Sequence, residues 1–460
     1  MIRDFYNLSI INVAMNVFKV KKAEKMNANQ LAYERNKHLR SMLKYVFDHS
    51  LFYRSIYKSA GIDTDAINQI QLAQLPIINK SILMNHFDDI LCDKRLCKED
   101  IEKFICDPEN LYKKYNGKYE VVHTSGSTGE IGIFIYGPRD WAIIQAIVFS
   151  RVSKNRISLA NKSTYAFMGA IDGHYAGISL VQSAPGYLFD KKVFGVNQPL
   201  CEIVTELNQF NPELLCGYSS CIYQLALEQK AGNLTIQPKR IICSGDILTK
   251  NMEIIIADAF GVNPFNFYAA SESLAMGVDC DLHKGIHFFD DIHVFEVIKE
   301  DGSPAENGEI GNLVVTTLYN RTLPLIRYKM NDMVRKTKED CECGWPFLLF
   351  EPVVTRVEEF LCFRDHDGNT KSIHPIILSE FIVPGLKKIQ FIQLQENKLK
   401  INAVTDKEEN EVRLKIKIRM DEILLNHGLT GTVDYEIYFL NDILPDPVTG
   451  KHRLIIPYKK

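Results

Sequence analysis

The stretch Val121-Val122-His123-Thr124-Ser125-Gly126-Ser127-Thr128-Gly129-Glu130-Ile131-Gly132-Ile133-Phe134-Ile135 decides how this chain is read. Two short apolar runs flank a hydroxyl- and glycine-rich turn, which is the pattern of two strands joined by a hairpin. Gly126 and Gly129 let the backbone fold tightly and turn its amides inward, and Ser125, Ser127 and Thr128 add hydroxyl donors without bulk. Such a concavity of N–H and O–H groups suits a polyphosphate. The lysine-containing phosphate loop that runs into a helix is excluded: Lys-Ser/Thr does not follow the glycines, and a strand comes next. Alone, the run also fits an ordinary hairpin tip, so its meaning depends on the rest of the chain.

The 460 residues are enough for two or three domains, and 46% hydrophobic with 24% charged residues is an ordinary globular balance. A net charge of −3, with no basic run interleaved with aromatics, argues against a nucleic-acid partner. Eleven cysteines at irregular spacings point to reduced thiols and a cytoplasmic location. Phe5 to Phe18 is apolar but broken by Asn7, Asn12 and Asn16, and Lys19, Lys21 and Lys22 follow it. It is too short and polar for a transmembrane segment, and its charges sit on the wrong side for a signal peptide. It is expected to pack on its own protein, with a peripheral membrane helix as the alternative.

Up to about Tyr119 the spacing predicts mainly helix, including Asn29 to Val46 and a stretch capped by Asn79. Asp140 is expected to cap a helix from Trp141 to Val152. Strands at Ser163 to Gly169, Leu214 to Gly217, Arg240 to Cys243 and Phe265 to Tyr268 alternate with helices, which predicts parallel strands with ligands at their C-terminal ends. From His293 the chain becomes β-rich, with strands at His293 to Ile298 and Gly311 to Thr317. Beyond about Arg356 lies a tail of strands and one charged helix, Glu408 to His427, long enough for a separate α+β domain. The expected architecture is α/β: a large domain over 1–355, β-rich from about 290, and a small mobile α+β domain over 356–460.

Five elements then stand in order: Thr124 to Gly129, Ser244-Gly245-Asp246, Tyr268-Ala269-Ala270-Ser271-Glu272, Arg327 to Asp332, and Asp446-Pro447-Val448-Thr449-Gly450-Lys451. With Asn211-Pro212-Glu213-Leu214-Leu215, Gly308-Glu309-Ile310-Gly311 and Leu323-Pro324-Leu325-Ile326-Arg327-Tyr328, the chain resembles the adenylate-forming superfamily. Within it, the resemblance is to the phenylacetate–CoA ligase branch and its capsule-biosynthesis relatives. That resemblance implies activation of a carboxylate by ATP to an acyl-adenylate, release of pyrophosphate, and acyl transfer to coenzyme A. It also implies site roles. The glycine-rich turn, including Thr128, would hold the β- and γ-phosphates; Glu272 would bind Mg²⁺ and Ser271 the α-phosphate. The Gly245 segment would border adenine, Tyr268 would stack on it, and Asp332 would accept both ribose hydroxyls. Arg356 matches the arginine before the interdomain hinge, and Lys451 would bridge carboxylate and α-phosphate from the small domain. His174 falls near the acyl pocket, where it would contact the substrate or cap a helix.

The chain departs from the family pattern at two points: Ile131-Gly132 replaces Pro-Lys, and Lys329-Met330-Asn331-Asp332 keeps the acid but loses the glycine. Cys280, His287, Cys341 and Cys343 offer three thiols and an imidazole, a set that suits a structural tetrahedral Zn²⁺, with His283 competing for the fourth place. Other readings stay open: an amine or carrier as acceptor in an amide- or ester-forming ligase, an adenylyltransferase, a non-catalytic nucleotide-binding scaffold, and assembly as a homodimer.

Overall fold

Parallel strands form where β-branched and apolar residues alternate with helices. Ser163–Gly169, Phe189–Gly195, Leu214–Tyr218, Arg240–Ser244 and Pro264–Ala270 run parallel in one eight-stranded sheet. The computed structural model describes residues 2–63, 66–124, 131–154, 162–196, 198–351, 355–356, 361–373, 377–378, 381, 383–444 and 453–458. Ser273–Asp279, Ile286–Phe288 and Leu348–Phe350 add to the Pro264–Ala270 side as antiparallel strands. All five residues of Leu214–Tyr218 are buried, as expected of a parallel strand covered on both faces. Leu215, Ile241 and Cys243 share one cluster with helices Leu200–Phe210, Ser219–Ala231 and Lys250–Phe260. Leu214, Cys216 and Ile242, one residue out of step, point into the larger core on the other face.

The β-rich portion is a second sheet, with strands His293–Ile298, Ile310–Thr317, Tyr328–Arg335 and Thr355–Arg356 in that order, all antiparallel. Strands Glu120–His123 and Ile133–Tyr136 form the expected hairpin. Asn79 caps helix Lys80–Asn85 by accepting from the Ile82 N–H at 2.9 Å. One expectation needs correction. The helix given to Trp141 begins at Pro138, capped by Gly137, because proline suits the first turn, and it passes into a π turn at Val148–Val152. Asp140 lies inside the first turn of the helix. It accepts from the Gly137 N–H at 3.0 Å and from Thr322 Oγ1 at 2.6 Å, and burial pushes its carboxyl above the usual range.

A separate hydrophobic cluster gathers Leu361, Phe363, Phe391, Ile401, Ile416 and Met420. It lies between helix Glu409–Asn426 and a four-stranded sheet in the order Asp434–Phe439, Lys398–Thr405, Leu386–Gln395, Ile455–Ile456. Tyr223 Oη donates to the Lys387 carbonyl and Asn251 Nδ2 to that of Leu386 at 3.1 Å, which joins this unit to the large sheet's helices.

The N-terminal helix, Ile2–Ala23, buries Val20 and Ala23 against the main core, and no helix among the described residues is long and apolar enough to cross a membrane. Arg151, with no exposed side-chain surface, donates to Asp291 at 2.9 and 2.8 Å, to Glu24 at 3.4 Å and to the Val20 carbonyl at 3.1 Å. Phe289 and Phe347 lie against its guanidinium. Removing one partner of a buried ion pair strands the other. Arg151→Ala should therefore cost about 3–5 kcal/mol in urea unfolding, with hydrogen exchange fastest to rise in the N-terminal helix.

Candidate active site

The hairpin is closed at its neck: the Thr124 N–H donates to the Gly132 carbonyl at 2.9 Å, and the Gly132 N–H to Thr124 Oγ1 at 2.8 Å. Ser125, Gly126, Ser127, Thr128 and Gly129 lie outside the described residues. Two bonds set this neck against the turn after Pro264–Ala270. Tyr136 Oη donates to the Ser271 carbonyl at 2.7 Å, and Ser271 Oγ to the His123 carbonyl at 3.4 Å. Ala269 and Ala270 end the strand, half-buried, just before Ser271 and Glu272. The neck of the hairpin and the Ser271-Glu272 pair, far apart in sequence, thus lie together.

Tyr268 is positioned by the strands beside it. It lies opposite Gly277 in one register and Phe288 lies opposite Gly277 in the next. A side chain at Gly277 would meet the His287 carbonyl at 2.7 Å and the Phe288 ring at 2.9 Å. Glycine there lets Tyr268 and Phe288 stack at 5.1 Å and 12° across the middle strand. Tyr268 Oη then donates to Asp332 Oδ2 at 2.8 Å. Asp332 pairs in register with Arg356, whose side chain lies outside the described residues.

Glu272 Oε1 accepts from the buried Tyr328 Oη at 3.4 Å. Beneath it, Ser273 Oγ meets His293 Nε2 at 2.7 Å and Tyr319 Oη at 2.8 Å. His293 Nδ1 lies 3.0 Å from the Phe289 carbonyl, an acceptor only, so Nδ1 carries the proton. Ser244, Gly245 and Asp246 follow the neighbouring strand. Gly245 has φ +80° and presses against the Tyr218 ring, which a side chain would meet at 2.6 Å. Asp246 accepts from Ser220 Oγ at the start of helix Ser219–Ala231, so its carboxylate is held away from a purely solvent role. Lys451 lies outside the described residues.

His174 is buried against Phe104, 5.1 Å between ring centres, and its carbonyl accepts from the His123 N–H at 3.0 Å. Away from the cleft, the ligand atoms of Cys280, His287, Cys341 and Cys343 lie within 4.8 Å of one another. Cys280 Sγ and Cys341 Sγ are 3.7 Å apart, close to the edge of a tetrahedron with Zn–S bonds of about 2.3 Å. His287 Nδ1 donates to the Phe347 carbonyl at 3.2 Å, leaving Nε2 facing Cys343 at 3.4 Å. His283 instead faces Asp279 at 3.7 Å and is not in the cluster.

Sequence reasoning missed Tyr328, Tyr136, His123 and Gly277. The last had a local signal, a glycine inside an apolar strand run; the others act through contacts that only the fold makes.

The fold is similar to that of a solved CoA ligase. A solved structure of 2-hydroxyisobutyryl-CoA ligase in the postadenylation state, in complex with 2-HIB-AMP, superimposes with a TM-score of 0.75 at 17% identity, covering 95% of this chain and 92% of that one. In sequence, the chain is a relative of the phenylacetate-coenzyme A ligase of Thermus thermophilus, 24% identical over 361 residues and 74% of each protein. It is equally similar to Protein CapK of Staphylococcus aureus, 24% identical over 461 residues, 93% of this chain and 89% of that protein. No family model matches the chain.

Two outcomes follow from the geometry. Gly277→Val should force the Tyr268 and Phe288 rings apart and weaken ATP binding by calorimetry about tenfold or more, a loss of about 1.4 kcal/mol. Burial pushes His293 down to about 4 from 6.5, so the ring is neutral in the fold. Its contribution is complete above 6.5 and is lost as pH falls toward 4, because the unfolded chain takes the proton first. The stability gap between wild type and His293→Gln should therefore be widest at pH 7 and narrow as pH approaches 4.

Proposed function

We propose that this chain is an ATP-dependent ligase that activates a small carboxylic acid as its acyl-adenylate, releases pyrophosphate and passes the acyl group to coenzyme A. The observation that carries this is that one strand end gathers the expected groups: Ser271 bonds to the closed neck of the hairpin, Tyr268 three residues earlier holds Asp332, and Tyr328 holds Glu272. Two anions must approach while charge builds on phosphoryl oxygens, so positioned donors and cations dominate the chemistry. In this reading Asp332 accepts the ribose hydroxyls, with Tyr268 holding one of its oxygens in place. The Gly245 backbone borders the adenine, Ser271 donates to the α-phosphate, and Thr124 to Gly129 surround the outer phosphates. Glu272 would hold Mg²⁺, which would neutralise the phosphate oxygens. Lys451, carried by a small domain over 356–460, would bridge the carboxylate and α-phosphate, and that domain would turn to admit the thiol. Arg356 would sit at the hinge, and His174 would line the acyl pocket.

The Cys280, His287, Cys341 and Cys343 set would hold Zn²⁺ with no open position, a structural rather than catalytic ion. All eleven cysteines are free thiols, and a reduced thiol set together with ATP as substrate favours the cytoplasm. The second reading, an amide- or ester-forming ligase, shares every step up to the adenylate and differs in the acceptor. Similarity to Protein CapK over 93% of this chain keeps it in view.

Pyrophosphate exchange with a panel of carboxylates tests the first half-reaction, and exchange with none of them overturns the ligase reading in favour of a scaffold. Lys451→Ala should lower exchange about 10²-fold or more while sparing thioester formation from a supplied acyl-adenylate; equal loss of both steps would count against this division of labour. Untagged protein should contain one zinc per chain by elemental analysis, and Cys341→Ser should remove it.

A further inference from the structure

His123 is not explained by phosphate binding. Its Nδ1 lies 3.0 Å from the Thr124 carbonyl oxygen. A carbonyl only accepts, so Nδ1 must carry the proton and Nε2 keeps its lone pair. Burial holds the ring below the ordinary imidazole range, which favours this neutral form. The ring tilts over Tyr175 at 4.8 Å, and Nε2 faces Gly173, 3.3 Å from where a side chain would begin there. Nε2 has no hydrogen-bond partner among the described residues. The neighbouring His174 repeats the situation: its Nε2 is buried and has no partner among the described residues. Unlike that of His174, the His123 Nε2 is not sealed off, and the Ser271 Oγ donates to the carbonyl of the same residue, His123, so a ligand at the Ser271 edge can reach it.

The fixed tautomer restricts what can meet His123. Phosphate and carboxylate oxygens bring only lone pairs, which an Nε2 lone pair repels. A hydroxyl or an amine N–H brings the donor it lacks. We propose that His123 Nε2 is a specificity contact in the acyl site, and that the activated acid carries a hydroxyl or amine donor placed to reach it. This rests on the ligase reading above and narrows its substrate class. Gly173 leaves the room for that substituent, and Tyr175 supplies a flat wall beside it.

The test uses pyrophosphate exchange, which needs no coenzyme A, with matched acids that differ by one donor. Suitable sets are phenylacetate against its 2-hydroxy, ring-hydroxy and 2-amino forms, and propionate against lactate and alanine. In wild type, at least one donor-bearing acid should exceed its plain partner in kcat/KM about tenfold or more, the scale of one well-placed hydrogen bond. His123→Phe should bring that ratio near unity by lowering only the donor-bearing acid. His123→Asn, which keeps an acceptor oxygen, should retain part of it. Turnover of the plain acid is the internal control for folding. A ratio unchanged in His123→Phe, or no preference for any donor-bearing acid, overturns the proposal while leaving the ligase reading intact. Absence of exchange with every acid overturns that reading instead.

Discussion

The bond from Tyr268 to Asp332 is the interaction on which this cleft depends. Tyr268 belongs to the large sheet and Asp332 to the antiparallel one, so their 2.8 Å contact ties the two at the cleft, as the backbone bonds from Glu351 to Arg335 and from Thr337 to Leu349 tie them further along. It has that effect because both ends are already fixed. Tyr268 is pinned by its stack on Phe288, which itself stacks on Phe350 at 4.1 Å. The strand of Asp332 is set by Arg327, a non-glycine residue at φ +49°. That conformation is costly for a long side chain and persists only when surroundings over-determine it. Here they do: the guanidinium pairs with Glu296 at 3.0 and 2.9 Å and donates to the carbonyls of Ala73 and Leu75. Ile78 adds backbone bonds on both sides, to the Arg327 carbonyl at 3.0 Å and from the Lys329 N–H at 2.7 Å.

Rigid support beneath a reactive edge recurs throughout the site. Ser273, His293 and Tyr319 form a closed buried network directly under Glu272. A satisfied polar network in a low-dielectric interior resists displacement more than an apolar contact of the same size. The backbone that carries Glu272 is therefore held firmly in place.

Much of the fold was legible because its signals are local. Strand Ser163–Gly169 and helix Lys250–Phe260 follow from periodicity and caps alone. The motif order marked Tyr268 and Asp332, which the fold brings together, and the Cys/His spacing marked the thiol cluster. What was illegible depends on register or on distant partners. The choice of His287 over His283 follows from the strand Ile286–Phe288, which aims alternate side chains to opposite faces; no spacing rule supplies that. Asp140 read as a helix cap because Thr322, its other partner, is remote in sequence. Arg151 gave no signal at all, since a lone arginine in a helical run is normally solvated, and its burial arises from four separate elements meeting.

The C-terminal sheet has one more property. Lys388 pairs with Asp442 at 2.5 Å, and two residues along the same strand Gln390 Nε2 donates to the Arg453 carbonyl at 2.9 Å. Asp442 and Arg453 thus both rest on the one strand Leu386–Gln395. That strand is therefore the keel of the small sheet: it pairs with Lys398–Thr405 on one side and Ile455–Ile456 on the other, so loosening it would part Ile455–Ile456 from the rest of the unit.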